Sequence, residues 1–193
     1  MIVSGRSVIL IVHFTTTKKY DIITVGNIDE NKNQELLLDS IIYLKQNINF
    51  NEEIKLIVVG DGQLRNLLME KSENNGLSAY FSGNIRHDLI WNYLSSSKIY
   101  VHTSKNEGFP TSIMEAFLMN LPVIVVDAPY VEEIRKRGFH LTTVKNRTPE
   151  ELAYNIKTLL EKEDTVSIEK NKEMVYKLFI DEKNTLLDLV RLL

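Results

Sequence analysis

Lys98-Ile-Tyr-Val-His102 runs straight into Thr103-Ser-Lys-Asn-Glu-Gly-Phe-Pro110, then Thr111-Ser-Ile-Met-Glu-Ala-Phe117, and then Pro122-Val-Ile-Val-Val-Asp127. Two short runs rich in β-branched residues flank a loop with glycine and proline and a stretch that opens a helix. Apolar residues on both faces of each run fit strands of a covered parallel sheet. The segment reads as one strand-helix-strand unit.

The same alternation extends in both directions. Asp21-Ile-Ile-Thr-Val25, Ile54-Lys-Leu-Ile-Val-Val59 and Ser78-Ala-Tyr-Phe-Ser82 precede it, and Leu141-Thr-Thr-Val144 follows. Between the runs, Leu37, Ile41, Leu44 and Ile48 recur at i, i+4, i+7 and i+11, and Leu64, Leu67 and Leu68 at i, i+3 and i+4. Leu152, Ile156, Leu159 and Leu160 repeat the pattern, so each stretch is predicted to turn one helical stripe toward a core. Thr148-Pro149-Glu150-Glu151 predicts an N-cap, a first-turn proline and a capping-box glutamate. A polar break, Lys162-Glu-Asp-Thr165, leads to a last helical region through Leu193. No internal repeat and no second domain are expected within these residues. The expected fold is one α/β domain over residues 21–193: a doubly wound parallel sheet of about six strands, helices on both faces, and C-terminal helices packed on it. Residues 1–20 are expected to be an N-terminal extension or interdomain segment.

Composition narrows the function. With 193 residues, 44% hydrophobic and 25% charged, the chain can bury one ordinary core. A formal net charge of -3 carries no basic surplus for nucleic acid, so an anionic ligand has to be held locally. The absence of cysteine excludes disulfides and thiolate metal sites and agrees with a cytoplasmic setting. His13, His87, His102 and His140 are scattered without the i, i+4 spacing of a zinc helix, so no protein-bound metal and no cofactor are expected. Ser7-Val-Ile-Leu-Ile-Val-His13 falls far short of the roughly 20 residues a membrane helix needs and reads as a strand or an interdomain tail.

In a doubly wound fold ligands bind beyond the carboxyl ends of the strands, and three loops there are informative. After the first strand, Gly26-Asn27 precedes Asp29, Glu30, Asn31 and Lys32, where a helix is expected to begin; a helix N-terminus with Lys32 could neutralise a diphosphate. A glycine after a strand and an exposed lysine are equally ordinary features of a surface. After the second, Gly60-Asp61-Gly62 makes a tight turn, with Gln63 and Leu64 expected to start a helix, and lacks the third glycine of a dinucleotide fingerprint. The third is Glu107-Gly108-Phe109-Pro110 to Glu115, with one carboxylate in the loop and the other in the first turns of the helix. The amides of Gly108 to Thr111 lie near that helix's positive end. Ser112-Ile-Met-Glu115 also fits a capping box that would use Glu115 for its own helix, and on spacing alone that reading prevails.

Taken together, Gly26 with Lys32, Gly60-Asp61-Gly62, Ser82-Gly83-Asn84-Ile85, Glu107-Gly108-Phe109-Pro110 with Glu115-Ala116, and Leu121-Pro122-Val123-Ile124 with Asp127 and Glu133 resemble the C-terminal domain of family 4 glycosyltransferases. These are retaining enzymes of GT-B architecture, with two Rossmann-like domains facing across a cleft. The resemblance runs from about Asp21 to Leu193, and Leu178-Phe-Ile-Asp-Glu-Lys183 resembles the family's last helix, which crosses back toward the other domain.

The resemblance implies a domain that binds a UDP- or GDP-sugar without a metal. Glu115 would accept from the ribose hydroxyls and Glu107, the catalytic candidate, would hold the donor sugar. The backbone of Gly108, Phe109, Pro110 and Thr111 would approach sugar and diphosphate, with Lys32 neutralising the latter; the loop Gly83-Asn84-Ile85-Arg86 would receive the base, and Gly26, Asn27, Gly60 and Asp61 complete the donor-binding candidates. Asn27 stands where the family has arginine, which removes a bidentate diphosphate ligand, and Pro129-Tyr130 replaces a Gly-Gly pair. It implies further that a sugar or lipid-linked acceptor binds an N-terminal domain for which this chain has no room, that the isolated chain does not turn over, and that the full-length protein associates peripherally with the inner face of the membrane.

Three other readings compete. A non-catalytic nucleotide-binding module agrees with Asn27, and half of a sugar-nucleotide epimerase would share the architecture. A phosphoacceptor receiver domain needs an aspartate after its third strand, where this chain has Ser82-Gly83.

Overall fold

The computed structural model describes residues 3–4, 7–8, 17–48, 50, 52–162 and 165–181. β1 (Val3–Ser4) and β2 (Ser7–Val8) pair antiparallel, and the rest of the expected extension before Thr17 lies outside the described residues. Six strands then form one sheet: β3 (Tyr20–Val25), β4 (Lys55–Val59), β5 (Ser78–Phe81), β6 (Ser97–His102), β7 (Val123–Val126) and β8 (Thr142–Val144). Their order is β5-β4-β3-β6-β7-β8 and every pairing is parallel. The chain builds outward from β3 to β5, returns to pair β6 beside β3, and builds outward again. The strand order therefore reverses between β3 and β6, and the crevice beyond their carboxyl ends is where such a sheet takes a ligand.

Helices α1 (Gln34–Asn47), α2 (Arg65–Asn74), α3 (His87–Ser95), α4 (Thr111–Leu118), α5 (Pro129–Lys136), α6 (Pro149–Glu161) and α7 (Thr165–Asp181) cover the sheet. Strand period 2 assigns the faces. Ile22, Leu56, Val58, Ile99 and Val101 pack with Leu37, Leu44, Leu152 and Ile156 of α1 and α6. Their sequence neighbours Ile23, Ile57, Val59 and Tyr100 pack on the other face with Leu94, Ile113, Phe117, Ile134 and Val175 of α3, α4, α5 and α7. Each fully buried Leu or Ile contributes about 1.5–3 kcal/mol, so two such layers hold the sheet without covalent staples. The expected Rossmann-like α/β fold is the fold observed.

Several local expectations differ. Asp29 to Lys32 form a turn, and α1 begins only at Gln34. Ile48 is the residue that caps α1, not part of its helix. Gln63 and Leu64 likewise precede α2, which begins at Arg65, and Leu67 is 54% exposed. The α2 stripe is instead Leu68 and Ser72, four residues apart, because a step from 68 to 67 turns the side chain by about 100° off the core. Thr148 does cap α6, accepting from Glu151 N at 3.3 Å, but the Glu151 carboxylate reaches past it to Lys145 N and Asn146 N. The part of the expected crossing helix after Asp181 lies outside the described residues.

Candidate functional site

Two loops meet at the point where the strand order reverses. The loop after β3 and the loop after β6 are stitched by Lys105 N donating to Asn31 O at 2.8 Å, Asn31 Nδ2 to Asn106 O at 2.9 Å, and the Thr103 hydroxyl to Lys32 O at 2.8 Å. Asp29 Oδ1 accepts from Lys32 N at 2.8 Å and sets the turn that carries the lysine. The consequence is an ion pair between Lys32 Nζ and Glu107 Oε1, 75 residues apart in sequence. The stem of Lys32 crosses Gly26, where a Cβ would stand 3.4 Å from Lys32 Cε.

Glu107 has a second partner. His102, the last residue of β6 and only 2% exposed, places Nε2 3.2 Å from the same Oε1. His102 Nδ1 lies 3.2 Å from the Tyr100 hydroxyl, which lies 2.8 Å from Ser112 Oγ on α4. The Tyr130 ring meets His102 edge-on at 5.8 Å, and its hydroxyl donates to Ser104 O at 3.3 Å. Burial by itself would raise the Glu107 carboxyl, but hydrogen bonds from His102, Lys32 and Ser104 outweigh it and hold the group at about 2. Burial pushes the His102 imidazole down, against the pull of Glu107.

Glu115 sits on α4 at 6% exposure, and the capping reading fails there. Pro110 is the N-cap with no side-chain cap bond, Ser112 is inside the first turn and tied to Tyr100, and Glu115 Oε1 lies 2.7 Å from His87 Nε2 at the start of α3. Burial raises the Glu115 carboxyl, and His87 opposes that shift.

The remaining expected residues fall into two sets. Asn27, Asp61 and Asn84 line an open cleft of about 600 Å³ together with Asp29, Gly62 and Gln63. Gly60 is not in its lining: a Cβ there would stand 2.0 Å from the Gly26 carbonyl oxygen, so its glycine serves the packing of one loop on the other. Ile85 packs against the second core layer, and Arg86 forks onto Asp88 at 2.6 and 3.0 Å. Phe109 is 43% exposed, with Arg137 over its ring at 5.0 Å. Gly108 is the contrary case to Gly60: a Cβ would meet nothing within 4 Å among the described residues, so none of them demands glycine there. Pro110 caps α4 and Thr111 opens it.

His87, His102, Tyr100 and Tyr130 were not among the expected site residues. Tyr130, one of the two residues by which this chain departs from the family's Gly-Gly pair, closes the wall behind His102. The signal that could have singled out His102 is its place at the carboxyl end of a central strand, five residues before Glu107. Nothing in the spacing marks His87. Among the described residues, no three His, Asp or Glu side chains cluster to hold a metal ion, and no helix is long and apolar enough to cross a membrane.

Residues 10–177 match the sequence profile of the family described as Glycosyl transferases group 1. An uncharacterized glycosyltransferase of Methanocaldococcus jannaschii is 34% identical over 107 residues, covering 54% of this chain and 25% of that protein. The Campylobacter jejuni GalNAc-alpha-(1->4)-GalNAc-alpha-(1->3)-diNAcBac-PP-undecaprenol alpha-1,4-N-acetyl-D-galactosaminyltransferase is 30% identical over 95 residues, covering 49% of this chain and 25% of that one. The matched region thus spans about a quarter of either relative. Among solved structures, Anabaena HepE in complex with UDP and glucose superposes with a TM-score of 0.70 at 21% identity, over 91% of this chain and 49% of that one. The pneumococcal O-GlcNAc transferase GtfA in complex with UDP and GlcNAc gives 0.69 at 18% identity, over 90% of this chain and 36% of that one. At these identities the structures establish a shared fold, that of one half of a GT-B glycosyltransferase.

Proposed function

The chain belongs to the glycosyl transferases group 1 family, and from that premise we propose that it is the donor-binding half of a retaining, family 4-like glycosyltransferase that uses a nucleotide diphosphate sugar. The observation that carries the reading is the meeting of Lys32 and Glu107 at the point where the strand order reverses. A phosphate-binding cation is there stored on a sugar-binding carboxylate, so the site stays electrically balanced before the donor arrives. When the diphosphate binds, the Lys32 ammonium turns to it and Glu107 accepts from hydroxyls of the transferred sugar. The amides of Gly108, Phe109 and Thr111 at the start of α4 add fixed donors, and the open space at Gly108 lets the ligand approach the backbone. Glu115 takes the ribose hydroxyls, and the cleft lined by Asn27, Asp61 and Asn84 takes the nucleoside.

In the transfer itself an acceptor hydroxyl bonds to the anomeric carbon as the bond from that carbon to the diphosphate oxygen breaks. The electron pair leaves with the diphosphate, and the hydroxyl proton passes to the departing phosphate or to solvent. Charge grows on the diphosphate, and side-chain and backbone donors already aimed there lower the barrier without reorganising. Neutralisation is assigned to Lys32 and backbone amides and needs no divalent metal or other cofactor. The acceptor, a sugar or a lipid-linked sugar such as the undecaprenol-linked substrate named for the Campylobacter jejuni relative, is assigned to another domain. Action at the cytoplasmic face of the membrane follows from such an acceptor, with no nucleic-acid partner. Asn27 in place of arginine favours one second reading, a nucleotide-binding module that does not catalyse transfer.

Calorimetric titration of the chain with UDP and GDP, with and without EDTA, tests the reading. One of the two should bind equally in both conditions; binding lost on chelation contradicts the metal-free site, and no binding of either contradicts the donor site.

A further inference from the structure

We propose that His102 is a positioning residue that keeps Glu107 ionised and in place while Lys32 transfers to the donor's diphosphate. The inference rests on the donor-site reading above and adds to it a residue that never touches the ligand. Lys32 Nζ and His102 Nε2 share Glu107 Oε1, yet the two partners differ in freedom. The Lys32 side chain is 22% exposed at a loop, whereas His102 is 2% exposed at the end of a central strand. As Lys32 moves toward phosphate, the hold on Glu107 passes to the group that cannot leave.

The ring is set up for that task. A carboxylate only accepts hydrogen bonds, so the bond to Glu107 requires a proton on Nε2. A neutral ring with its proton on Nε2 has a bare Nδ1, and the Tyr100 hydroxyl stands 3.2 Å away to donate to it. Ser112 Oγ on α4 lies 2.8 Å from the Tyr100 oxygen and, as a hydroxyl that both donates and accepts, supplies the proton of that contact when Tyr100 gives its own single proton to the ring. Tyr130 from α5 closes the ring edge, and among the described residues its charged neighbours are Glu107 and Lys32, the first favouring and the second opposing protonation. Burial favours the neutral ring, and the Glu107 carboxylate on Nε2 with the Tyr100 hydroxyl on Nδ1 selects its tautomer.

If His102 is replaced by phenylalanine, the aromatic volume stays and the donor goes. Glu107 then depends on Lys32 and Ser104, and recruitment of Lys32 by a diphosphate leaves a mostly buried carboxylate short of donors. It takes up a proton as UDP binds. The test is calorimetry of UDP, or of GDP where the wild type prefers it, near pH 6 in two buffers of different ionisation enthalpy. Comparison of variant with wild type removes the protons that the nucleotide itself exchanges. His102→Phe should bind about tenfold more weakly and take up more protons than wild type, His102→Gln should restore both by returning an N–H, and uridine affinity should match in all three. Equal UDP affinity and equal proton count in wild type and His102→Phe overturn the inference alone, as does a His102→Gln that behaves like His102→Phe. A wild type that binds neither UDP nor GDP overturns the donor-site reading and this inference with it. Nitrogen-15 NMR of the wild-type imidazole needs no variant: a proton on Nε2 is expected, and a proton on Nδ1 with Nε2 bare overturns the inference.

Discussion

His87 Nε2 lies 2.7 Å from Glu115 Oε1, so the carboxylate assigned to the ribose hydroxyls is already engaged by a side chain from a neighbouring helix. The partners are unequal in exposure, 45% for the His87 side chain against 8% for that of Glu115. His87 can therefore swing into solvent while Glu115 stays fixed. A nucleotide would exchange the imidazole for two hydroxyls.

The first prediction concerns Glu115→Gln. Burial raises the Glu115 carboxyl, so the folded state favours its protonated form, and that contribution is fully present below the unfolded value and lost as pH rises through the folded one. Removing the charge should leave stability at neutral pH unchanged or higher. Nucleotide affinity should fall by about 1.5–3 kcal/mol, the value of a charge-assisted hydrogen bond. Wild type should discriminate strongly between a ribonucleotide and its 2′,3′-dideoxy analogue, and the variant weakly. Equal discrimination by both proteins excludes the ribose role.

Lowering the pH should weaken nucleotide binding as Glu115 protonates. Because His87 lowers the Glu115 carboxyl, His87→Ala should move that loss to higher pH. Affinity measured across pH 4 to 8 in both proteins checks the sign; a shift to lower pH contradicts the pairing.

Lys32→Ala should weaken UDP binding and flatten its salt dependence while leaving uridine nearly unaffected, since phosphate is the one part of the nucleotide assigned to the ammonium. Equal losses for the two ligands would place Lys32 in the fold instead.

Glu107 gives a stability signature. Its carboxyl is held at about 2, so its contribution is present above the unfolded value and lost as pH falls from there through about 2. Acid unfolding of wild type and Glu107→Gln should converge over that window, with wild type losing the larger share. Parallel curves contradict the buried bonds from His102 and Lys32.

Two glycines separate packing from binding. Gly60→Ala puts a methyl group 2.0 Å from a carbonyl oxygen in a left-handed backbone region, and should destabilise by about 1–3 kcal/mol. Gly108→Ala meets no atom of the described residues within 4 Å and should leave the melting temperature within a degree or two while reducing UDP affinity. Thermal melts and titrations of the two variants decide it; a Gly108→Ala that binds normally removes that backbone from the site.

The sheet was legible because each strand carries its own local signal. Ile22 and Ile23, adjacent and both apolar, already imply two covered faces, and the structure places them in different core layers. Leu67 misled because leucines at i, i+3 and i+4 define a stripe only when the helix beneath them is in register, and α2 starts after Leu64 and turns Leu68 and Ser72 inward. Glu107 and Glu115 were visible as chemistry, but their partners were not: His87 lies 28 residues from Glu115 and Lys32 lies 75 from Glu107. Those contacts arise from the order of the strands, which no spacing within a single segment encodes. The Ser112 to Glu115 spacing suggested a cap that Pro110 forestalls, since α4 starts one residue before the serine.

The most direct test of the donor site is amide chemical-shift mapping of the nitrogen-15-labelled chain on addition of UDP and of GDP. One nucleotide should shift the amides of Lys32, Asn84, Gly108, Phe109, Thr111 and Glu115, all at the carboxyl ends of the strands, and leave Lys19, Lys55 and Ser78 at the amino ends unmoved. Shifts confined to the amino ends, or none with either nucleotide, would contradict a donor site between β3 and β6.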